Sequence, residues 1–452
     1  MKPNRPPDLP AKQTSTLTFR RLRLLVVLGV CSAQSSTAQT VLPTSTDKPA
    51  GRACPGKLDT VANCYGGRDE NGAYYLIAVP KVSNGILVIH AHGGPRHVPP
   101  APNGSDEDLV RFSVMVRAGY SWIGTTYRNG GYGIRLAAQD VDHSRSIFWQ
   151  QFGRPKKTVL HGQSYGGNVV AKLAELDALD AEGTAKYDGV ILTSAAVGKR
   201  IETYNILINT RVVYQYFCRN LPLPEEAQYP AWQGLPKQSA MSPEELHRRV
   251  NHCTGADLAP TARTPKQARN LRAILGATGE KEKQLATRLE LTAFRFQDVV
   301  HNFLGGLNPF DNTSTVYKGS GSDAELNKGV ERFAGTASAR DRLAYDSDLS
   351  GGIVVPTIAL QAKFDPVVNY QAQSHYQRIV ERAGQSHLLV QLLTSEDQHS
   401  KLSESEYLAV LSAMTNWIDS GKRPTANAIK QRCAAFAAQY GQPCLFIDDK
   451  GN

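Results

Sequence analysis

Hydrophobic and polar positions form two alternating kinds of segment from about residue 73 onward. Short apolar runs predict strands at 74–80, 85–91, 120–127, 157–160 and 187–194. Longer segments with apolar residues on one helical face lie between them and predict helices at 108–118, 134–152 and 168–179. This alternation is typical of a mostly parallel sheet that is covered by helices on both faces. The pattern therefore predicts a doubly wound α/β domain.

The alternation stops between residues 198 and 349, where the chain is helical and polar. Two helix starts are marked there by Ser242-Pro243 and Thr264-Pro265, each with a capping hydroxyl, a first-turn proline and Glu or Gln at the third position. Strands resume at 353–362 and 387–393, and a last amphipathic helix is predicted at 403–420. We therefore predict a core of residues 39–197 and 350–421, a helical cap at 198–349 and a C-terminal extension at 422–452.

The first forty residues have the pattern of a secretory signal peptide. Three arginines at positions 20, 21 and 23 precede a short apolar run at 24–33, and small residues follow up to Ala38. We predict cleavage after Ala38, and a secreted or periplasmic protein. The apolar run is too short for a stable membrane span. A lipid anchor at Cys31 is the weaker alternative, because Val30 is bulky where such sites need a small residue.

Composition and charge change this picture little. The 452 residues are 41% hydrophobic and 20% charged, which is ordinary for a globular protein. Residues 1–38 carry six cations and one anion, so their removal lowers the net charge from +10 to +5. A charge of that size on a large domain does not indicate a nucleic-acid partner, and none is expected.

Six cysteines remain after the signal segment, and an even number in an exported chain favours disulfides. They fall into three sequence-local couples, Cys54 with Cys64, Cys218 with Cys253, and Cys433 with Cys444. Buried free thiols are the alternative. No Cys-x-x-Cys spacing occurs, so neither a zinc site nor redox chemistry is predicted.

The strongest local motif is Gly162-Gln163-Ser164-Tyr165-Gly166, which lies between a predicted strand and a predicted helix. A serine at such a turn adopts a strained backbone conformation, and the flanking glycines let the turn close. The hydroxyl is thereby raised for attack, while the amides that follow it face the developing negative charge. Ser164 is therefore the predicted nucleophile.

Serine needs a base to accept its proton and a third group to orient that base. Asp365 follows the strand at 353–362, and His399 follows the strand at 387–393, so both are expected at the sheet edge that carries Ser164. Asp397 is the nearest rival to Asp365. His375, inside a helix, and His387, at a strand start, fit the base less well.

The segment His92-Gly93-Gly94 follows the strand at 85–91 and is rich in glycine. Acyl transfer creates an oxyanion, and a glycine-rich turn lets backbone amides approach it. We expect Gly93 or Gly94 to supply one amide donor and Tyr165 the other. His92 either lines the substrate pocket or supports the turn, and support is favoured.

Together these motifs resemble the α/β-hydrolase superfamily over residues 73–421. The matching features are the His-Gly-Gly turn, the serine turn with its second glycine, the acid after the penultimate strand and the histidine after the last one. The resemblance implies an acyl-enzyme mechanism without a metal or an organic cofactor, and places a cap over the site at 198–349. It does not name a substrate.

A secreted hydrolase of carboxylic esters, small or polymeric, is the first interpretation, with cap aromatics such as Trp232 and Phe296 lining the pocket. A serine peptidase or aminopeptidase of the prolyl-peptidase type is the alternative, since the His-Gly-Gly-Pro and Gly-x-Ser-Tyr-Gly-Gly segments also resemble that group. It needs a cap carboxylate for the substrate amine, and the candidates are Glu225, Glu226, Glu244 and Glu245. A non-catalytic binding protein on the same scaffold is the third hypothesis.

Overall fold

The structure is a computed structural model that describes residues 48–448. The predicted signal peptide at 1–38, with its cleavage site, lies outside the described residues. So do the last four residues of the C-terminal extension.

Within residues 48–448, ten strands form a single sheet. They are β1 (Ala50–Arg52), β2 (Ala62–Arg68), β3 (Tyr74–Pro80), β4 (Ile86–Ala91), β5 (Ser121–Thr125), β6 (Lys157–Gln163), β7 (Gly189–Thr193), β8 (Thr357–Ala362), β9 (Leu389–Thr394) and β10 (Phe446–Ile447). The spatial order is β1-β2-β3-β5-β4-β6-β7-β8-β9-β10.

The six strands from β5 to β9 in that order run parallel to one another. The strands β1, β2, β3 and β10 pair antiparallel at the two edges. Every residue of β4, β5, β7 and β8 is buried, which explains why these strands are continuous apolar runs in the sequence. The predicted mostly parallel, doubly wound sheet is confirmed.

The same residues form the following α-helices: α1 (Asp106–Arg111), α2 (Ser113–Arg117), α3 (Ile134–Phe152), α4 (Tyr165–Asp177), α5 (Arg200–Cys218), α6 (Pro243–Thr254), α7 (Pro265–Thr278), α8 (Leu285–Glu290), α9 (Asp323–Gly329), α10 (Ala337–Ser347), α11 (Gln371–Arg382), α12 (Glu404–Ser420) and α13 (Ala426–Tyr440). Two π-helical segments, Leu291–Arg295 and Asp298–Phe303, follow α8. Helices α5 to α10 lie between β7 and β8 in the chain, so a helical region separates these two strands. None of the helices in residues 48–448 is long and apolar enough to cross a membrane.

Helix ends follow the capping residues in the sequence. Ser242, Thr264 and Ser403 each accept a backbone amide of the third helical residue through the side chain. At Thr264 the capping box is complete, because Gln267 also accepts the Thr264 amide. The helix α12 ends at Gly421, which has a φ of 68° that few other residues adopt easily.

Two element predictions need correction. The single helix expected at 108–118 is interrupted at Phe112, whose ψ of 19° leaves the helical range. The apolar residues predicted on one face of this helix are nevertheless buried, and they are Leu109, Phe112, Met115 and Val116. The strand expected from residue 353 begins only at Thr357, because Pro356 has no amide hydrogen for the ladder.

The cysteines form the three sequence-local disulfides, with Cα separations of 5.2 Å for Cys54–Cys64, 5.7 Å for Cys218–Cys253 and 6.0 Å for Cys433–Cys444. The first holds the segment leading into β2, and the second lies within the helical insertion. The third ties α13 to the segment before β10. The C-terminal segment therefore adds an edge strand to the main sheet, against β9.

Candidate active site

Ser164 occupies a tight turn between β6 and α4. Its φ of 56° and ψ of −119° are a strained conformation for a residue with a side chain. The flanking glycines have no room for a Cβ atom. A Cβ on Gly166 would lie 2.0 Å from the carbonyl oxygen of Ala91, and one on Gly162 would lie 2.3 Å from the carbonyl oxygen of Gly166. The motif therefore brings the turn into direct contact with the end of β4.

Ser164, His399 and Asp365 form one chain of hydrogen-bonding side chains. The Nε2 atom of His399 lies 2.8 Å from the Oγ of Ser164. Its Nδ1 atom lies 2.8 and 3.0 Å from the two carboxylate oxygens of Asp365. The Asp365 side chain is fully buried, whereas 19% of the His399 side chain is exposed. A hydroxyl, an imidazole and a carboxylate in this order can act chemically as nucleophile, base and orienting acid.

Asp365 is fixed by the loop that follows β8. Its Oδ1 atom accepts the amides of Val367 and Val368 at 2.8 and 2.9 Å, and its Oδ2 atom accepts the Gln361 side chain at 3.2 Å. These donors hold the carboxylate in one orientation toward the imidazole. The rival acid Asp397 is exposed and does not contact His399 in the described structure.

The other two histidines considered as the base, His375 and His387, form no hydrogen bond with Ser164. The Nδ1 atom of His375 lies 3.8 Å from a carboxylate oxygen of Glu202, and the residue lines a cavity that also borders Ser164. His387 is exposed in a short 3-10 helix.

The glycine turn after β4 lies beside Ser164. The backbone amide of Gly93 in this turn already has a hydrogen-bond acceptor within the chain. It donates to the side-chain oxygen of Gln163 at 3.1 Å. Among residues 48–448, the amides of Gly94 and Tyr165 have no hydrogen-bond acceptor. Gly94 has a φ of 118°, a region that favours glycine. Of the two glycines, Gly94 is therefore the one whose amide is free for a ligand.

His92 packs against this turn and is not among the residues that line the cavity beside Ser164, so its contacts favour the supporting role over the pocket role. Its Nδ1 atom lies 2.5 Å from the carbonyl oxygen of Gly93, and its ring stacks on Tyr127 with centroids 4.0 Å apart. Burial, aided by the positive charge of Arg96, lowers the pKa of His92 to about 4. The ring is therefore neutral at physiological pH.

Gln163 is a site residue that sequence reasoning missed. Its side-chain oxygen accepts the Gly93 amide, and its side-chain nitrogen donates to the hydroxyl of Ser400, the residue after His399. One side chain thus joins the glycine turn to the histidine loop. Any residue can occupy the position of Gln163 in the Gly-x-Ser-x-Gly motif, so the motif does not predict this role. The role becomes visible only from the hydrogen-bond partners in the structure.

A cavity of about 140 Å³ adjoins Ser164 on the side of the helical insertion. Its wall combines apolar side chains, including Val197, Leu207 and Val368, with three arginines. The arginines are Arg200, Arg288 and Arg295. Nothing in the local sequence distinguishes these three from the rest of the 51 lysines and arginines of the chain.

The two cap aromatics expected in the pocket do not line this cavity. Phe296 is fully buried and stacks on Phe310 with centroids 4.3 Å apart. Trp232 packs, partly exposed, against the same hydrophobic core. Both side chains therefore contribute to the core of the helical insertion, where large aromatic rings bury much apolar surface.

The four glutamates considered for binding a substrate amine are also absent from the cavity wall. Glu226 forms an ion pair with Arg249 at 2.5 Å, and Glu245 pairs with the same arginine at 2.6 Å. Glu225 and Glu244 do not line the cavity either.

In the part of the chain that the structure describes, no group of three or more His, Cys, Asp or Glu side chains is placed to hold a metal ion.

Comparison with known proteins gives partial likenesses. No family model matches the chain. An o-phthalyl amidase from Xanthobacter agilis is 25% identical over 108 residues, which cover 23% of this chain and 22% of that protein. The chain thus matches about a fifth of the length of this curated relative.

Among solved structures, an esterase from Aspergillus oryzae has a TM-score of 0.45 at 12% identity, over 80% of this chain and 81% of that chain. Lipase A from Candida antarctica has a TM-score of 0.41 at 11% identity, over 84% and 83% of the two chains. Identities and scores at this level assign no activity.

The protein has the α/β-hydrolase fold. Its own topology carries this assignment: the parallel strands, the serine turn after β6, the acid after β8 and the histidine after β9.

Proposed function

We propose that this protein is a serine hydrolase that cleaves carboxylic esters through an acyl-enzyme. The observation that carries the proposal is the unbroken hydrogen-bonded chain from Ser164 through His399 to Asp365. A non-catalytic binding protein on this fold would not need that chain, and its complete geometry supports an enzyme.

In the first half of the reaction, the Oγ of Ser164 attacks the ester carbonyl carbon while its proton passes to Nε2 of His399. The carbonyl oxygen becomes an oxyanion and accepts the amides of Gly94 and Tyr165. Asp365 stabilises the imidazolium that forms. The tetrahedral intermediate then collapses, the ester C–O bond breaks, and His399 returns the proton to the departing alcohol.

In the second half, water attacks the acyl group on Ser164 and His399 takes its proton. The same amides stabilise the second oxyanion. Collapse releases the carboxylic acid as the Ser164 oxygen regains its proton from His399. The strained turn at Ser164 holds the oxygen in place throughout both halves.

Amide hydrolysis is the second candidate, and the local likeness to an o-phthalyl amidase favours it. The aminopeptidase form of this hypothesis has less support. The cavity beside Ser164 contains one carboxylate, Glu280, and that side chain already pairs with Arg288 at 3.3 Å. A substrate ammonium would therefore meet mainly positive charge.

We also propose that the protein is exported, with a signal peptide cleaved after Ala38. Three disulfides in residues 48–448 support an oxidising compartment, because such bonds are rare in the cytosol. Mass spectrometry of the secreted chain tests this, and a mature protein that begins well before or after residue 39 would contradict the cleavage site.

A substrate panel separates esterase from amidase. Phenyl esters and the matching anilides of the same acids are assayed with the wild type and with Ser164→Ala. The proposal predicts ester turnover in the wild type and its loss in the variant. Rapid anilide turnover with negligible ester turnover would replace the esterase by the amidase.

A further inference from the structure

The wall of the cavity beside Ser164 has an excess of positive charge. Arg200, Arg288 and Arg295 line it, and Glu280 is the carboxylate in its wall. Arg288 is compensated, since its Nε lies 3.3 Å from Glu280 and its Nη1 donates to the carbonyl of Val367 at 2.6 Å. The other two guanidinium groups lack an acidic partner among residues 48–448.

Arg295 is the clearest case. It ends the π-helical segment Leu291–Arg295 and is only partly exposed. No hydrogen bond or ion pair connects its guanidinium to any of the described residues, and its buried Nε has no acceptor. The nearby acid Asp298 is engaged elsewhere, accepting the Tyr132 amide at 2.6 Å and the Asn302 side chain at 2.8 Å. A guanidinium with five donors is thus left for a ligand.

Arg200 provides a second, independent observation. Its side chain is 5% exposed and lies above the start of α4, where Nη2 donates to Asn168 at 2.9 Å and to the carbonyl of Ala196 at 2.7 Å. Its Nε is buried without an acceptor. The neighbouring acid Asp348 binds the Arg200 backbone amide at 2.8 Å and forms no ion pair with the guanidinium.

A buried cation without a counterion is costly, and a bound anion removes that cost. The carboxylate is the anion that matches a guanidinium in shape and makes strong, charge-assisted hydrogen bonds with it. The apolar part of the wall, with Val197, Leu207 and Val368, suits a hydrocarbon spacer between that carboxylate and the bond at Ser164.

We propose that this cavity binds a free carboxylate of the substrate, with Arg295 as its main partner and Arg200 as a second one. The natural substrates are then acidic esters, such as half-esters of dicarboxylic acids or esters of carboxylated phenols. This inference rests on the proposed function and narrows it to a substrate class.

Two matched pairs of esters test the inference, each differing only in a free or methylated carboxyl group. Monophenyl adipate and phenyl methyl adipate place the charge in the acyl part. The 4-carboxyphenyl and 4-(methoxycarbonyl)phenyl esters of pentanoic acid place it in the leaving group. For at least one pair we expect the acid to have a kcat/KM at least tenfold above that of its neutral partner.

Variants of Arg295 identify the source of that preference. Arg295→Gln should lower the acid-to-neutral ratio about tenfold or more, the loss expected for a charge-assisted contact. Arg295→Lys keeps the charge and should retain part of the ratio. The matched control is Arg272→Gln, an exposed arginine of α7 whose loss changes the net charge equally and should leave the ratio unchanged. Because Arg295 binds no other described residue, these variants leave no acceptor unpaired.

Equal turnover of acid and neutral esters in both pairs would overturn the inference and leave the esterase proposal standing. So would an unchanged ratio in Arg295→Gln. Failure of every ester would instead reject the proposed function. In that case calorimetric titration of the wild type and of Arg295→Gln with adipate still decides whether the anion site exists. We expect adipate to bind the wild type more tightly than the variant, and no binding to either protein would reject the site.

Discussion

Replacing Gln163 by methionine tests whether the glycine turn and the histidine loop depend on one shared side chain. Methionine has nearly the same length and shape, but its sulfur is only a weak acceptor for the Gly93 amide and it has no donor for Ser400. Gln163 is 4% exposed and Ser400 is fully buried, so water cannot easily replace these contacts. The substitution therefore removes two hydrogen bonds without creating a large cavity.

The size of the effect follows from the two lost contacts. Each net hydrogen bond contributes about 1 kcal/mol, and a buried donor left without an acceptor costs about 1–3 kcal/mol. If most of this free energy is lost from the alignment of the reacting groups, the activation free energy rises by a similar amount. We then expect kcat to decrease by roughly 10- to 100-fold, since about 1.4 kcal/mol is a factor of ten. The free energy of unfolding should decrease by a similar amount.

Gln391→Met is the matched control, because Gln391 on β9 also makes two hydrogen bonds, both to Gln373 and both at 2.9 Å. The assay measures kcat for a phenyl ester together with urea unfolding for both variants. We expect both to lose stability and only Gln163→Met to lose most of its kcat. Retention of kcat within twofold in Gln163→Met would refute the reasoning.

The remaining predictions concern the acid and the buried histidine. Asp365→Asn should lower kcat by roughly 10³- to 10⁴-fold, whereas Asp397→Asn, the exposed rival in the histidine loop, should change it less than twofold; the opposite result would transfer the orienting role to Asp397. His92 has a pKa of about 4 in the folded chain, below the 6.5 of an unperturbed histidine, so the unfolded chain binds a proton more readily. Its contribution to stability is then complete above pH 6.5 and is lost as the pH falls toward 4, by up to about 3 kcal/mol. His92→Gln should show a smaller loss of unfolding free energy between pH 7 and pH 5 than the wild type, and an equal loss in both would contradict the buried neutral ring.

The features of this protein that depend on local sequence patterns can be predicted from the sequence. The inner strands β4, β5, β7 and β8 are buried on both faces, so they are apolar runs in the sequence. The glycines around Ser164 are required by contacts as short as 2.0 Å. Asp365 and His399 follow strands that meet at one sheet edge, and this order is legible without coordinates. The two-residue strand β10 is too short to produce a pattern.

The helical insertion is different, because its contacts are set by packing between distant segments. Trp232 and Phe296 were expected to line the substrate pocket, and both instead pack in the core of the insertion. The cavity wall combines apolar side chains with charged ones such as Arg200 and Arg295, and these arginines look like ordinary helix surface in the sequence. Gln163 likewise acts through partners that are 70 and 237 positions away.

The central claim is that Ser164 becomes covalently acylated during turnover. The most direct measurement is intact-protein and peptide mass spectrometry after acid quenching of the enzyme with 4-nitrophenyl pentanoate. We expect one pentanoyl group per chain on the peptide that contains Ser164, and none in Ser164→Ala. Acylation at a different residue, or undiminished ester hydrolysis by Ser164→Ala, would contradict it.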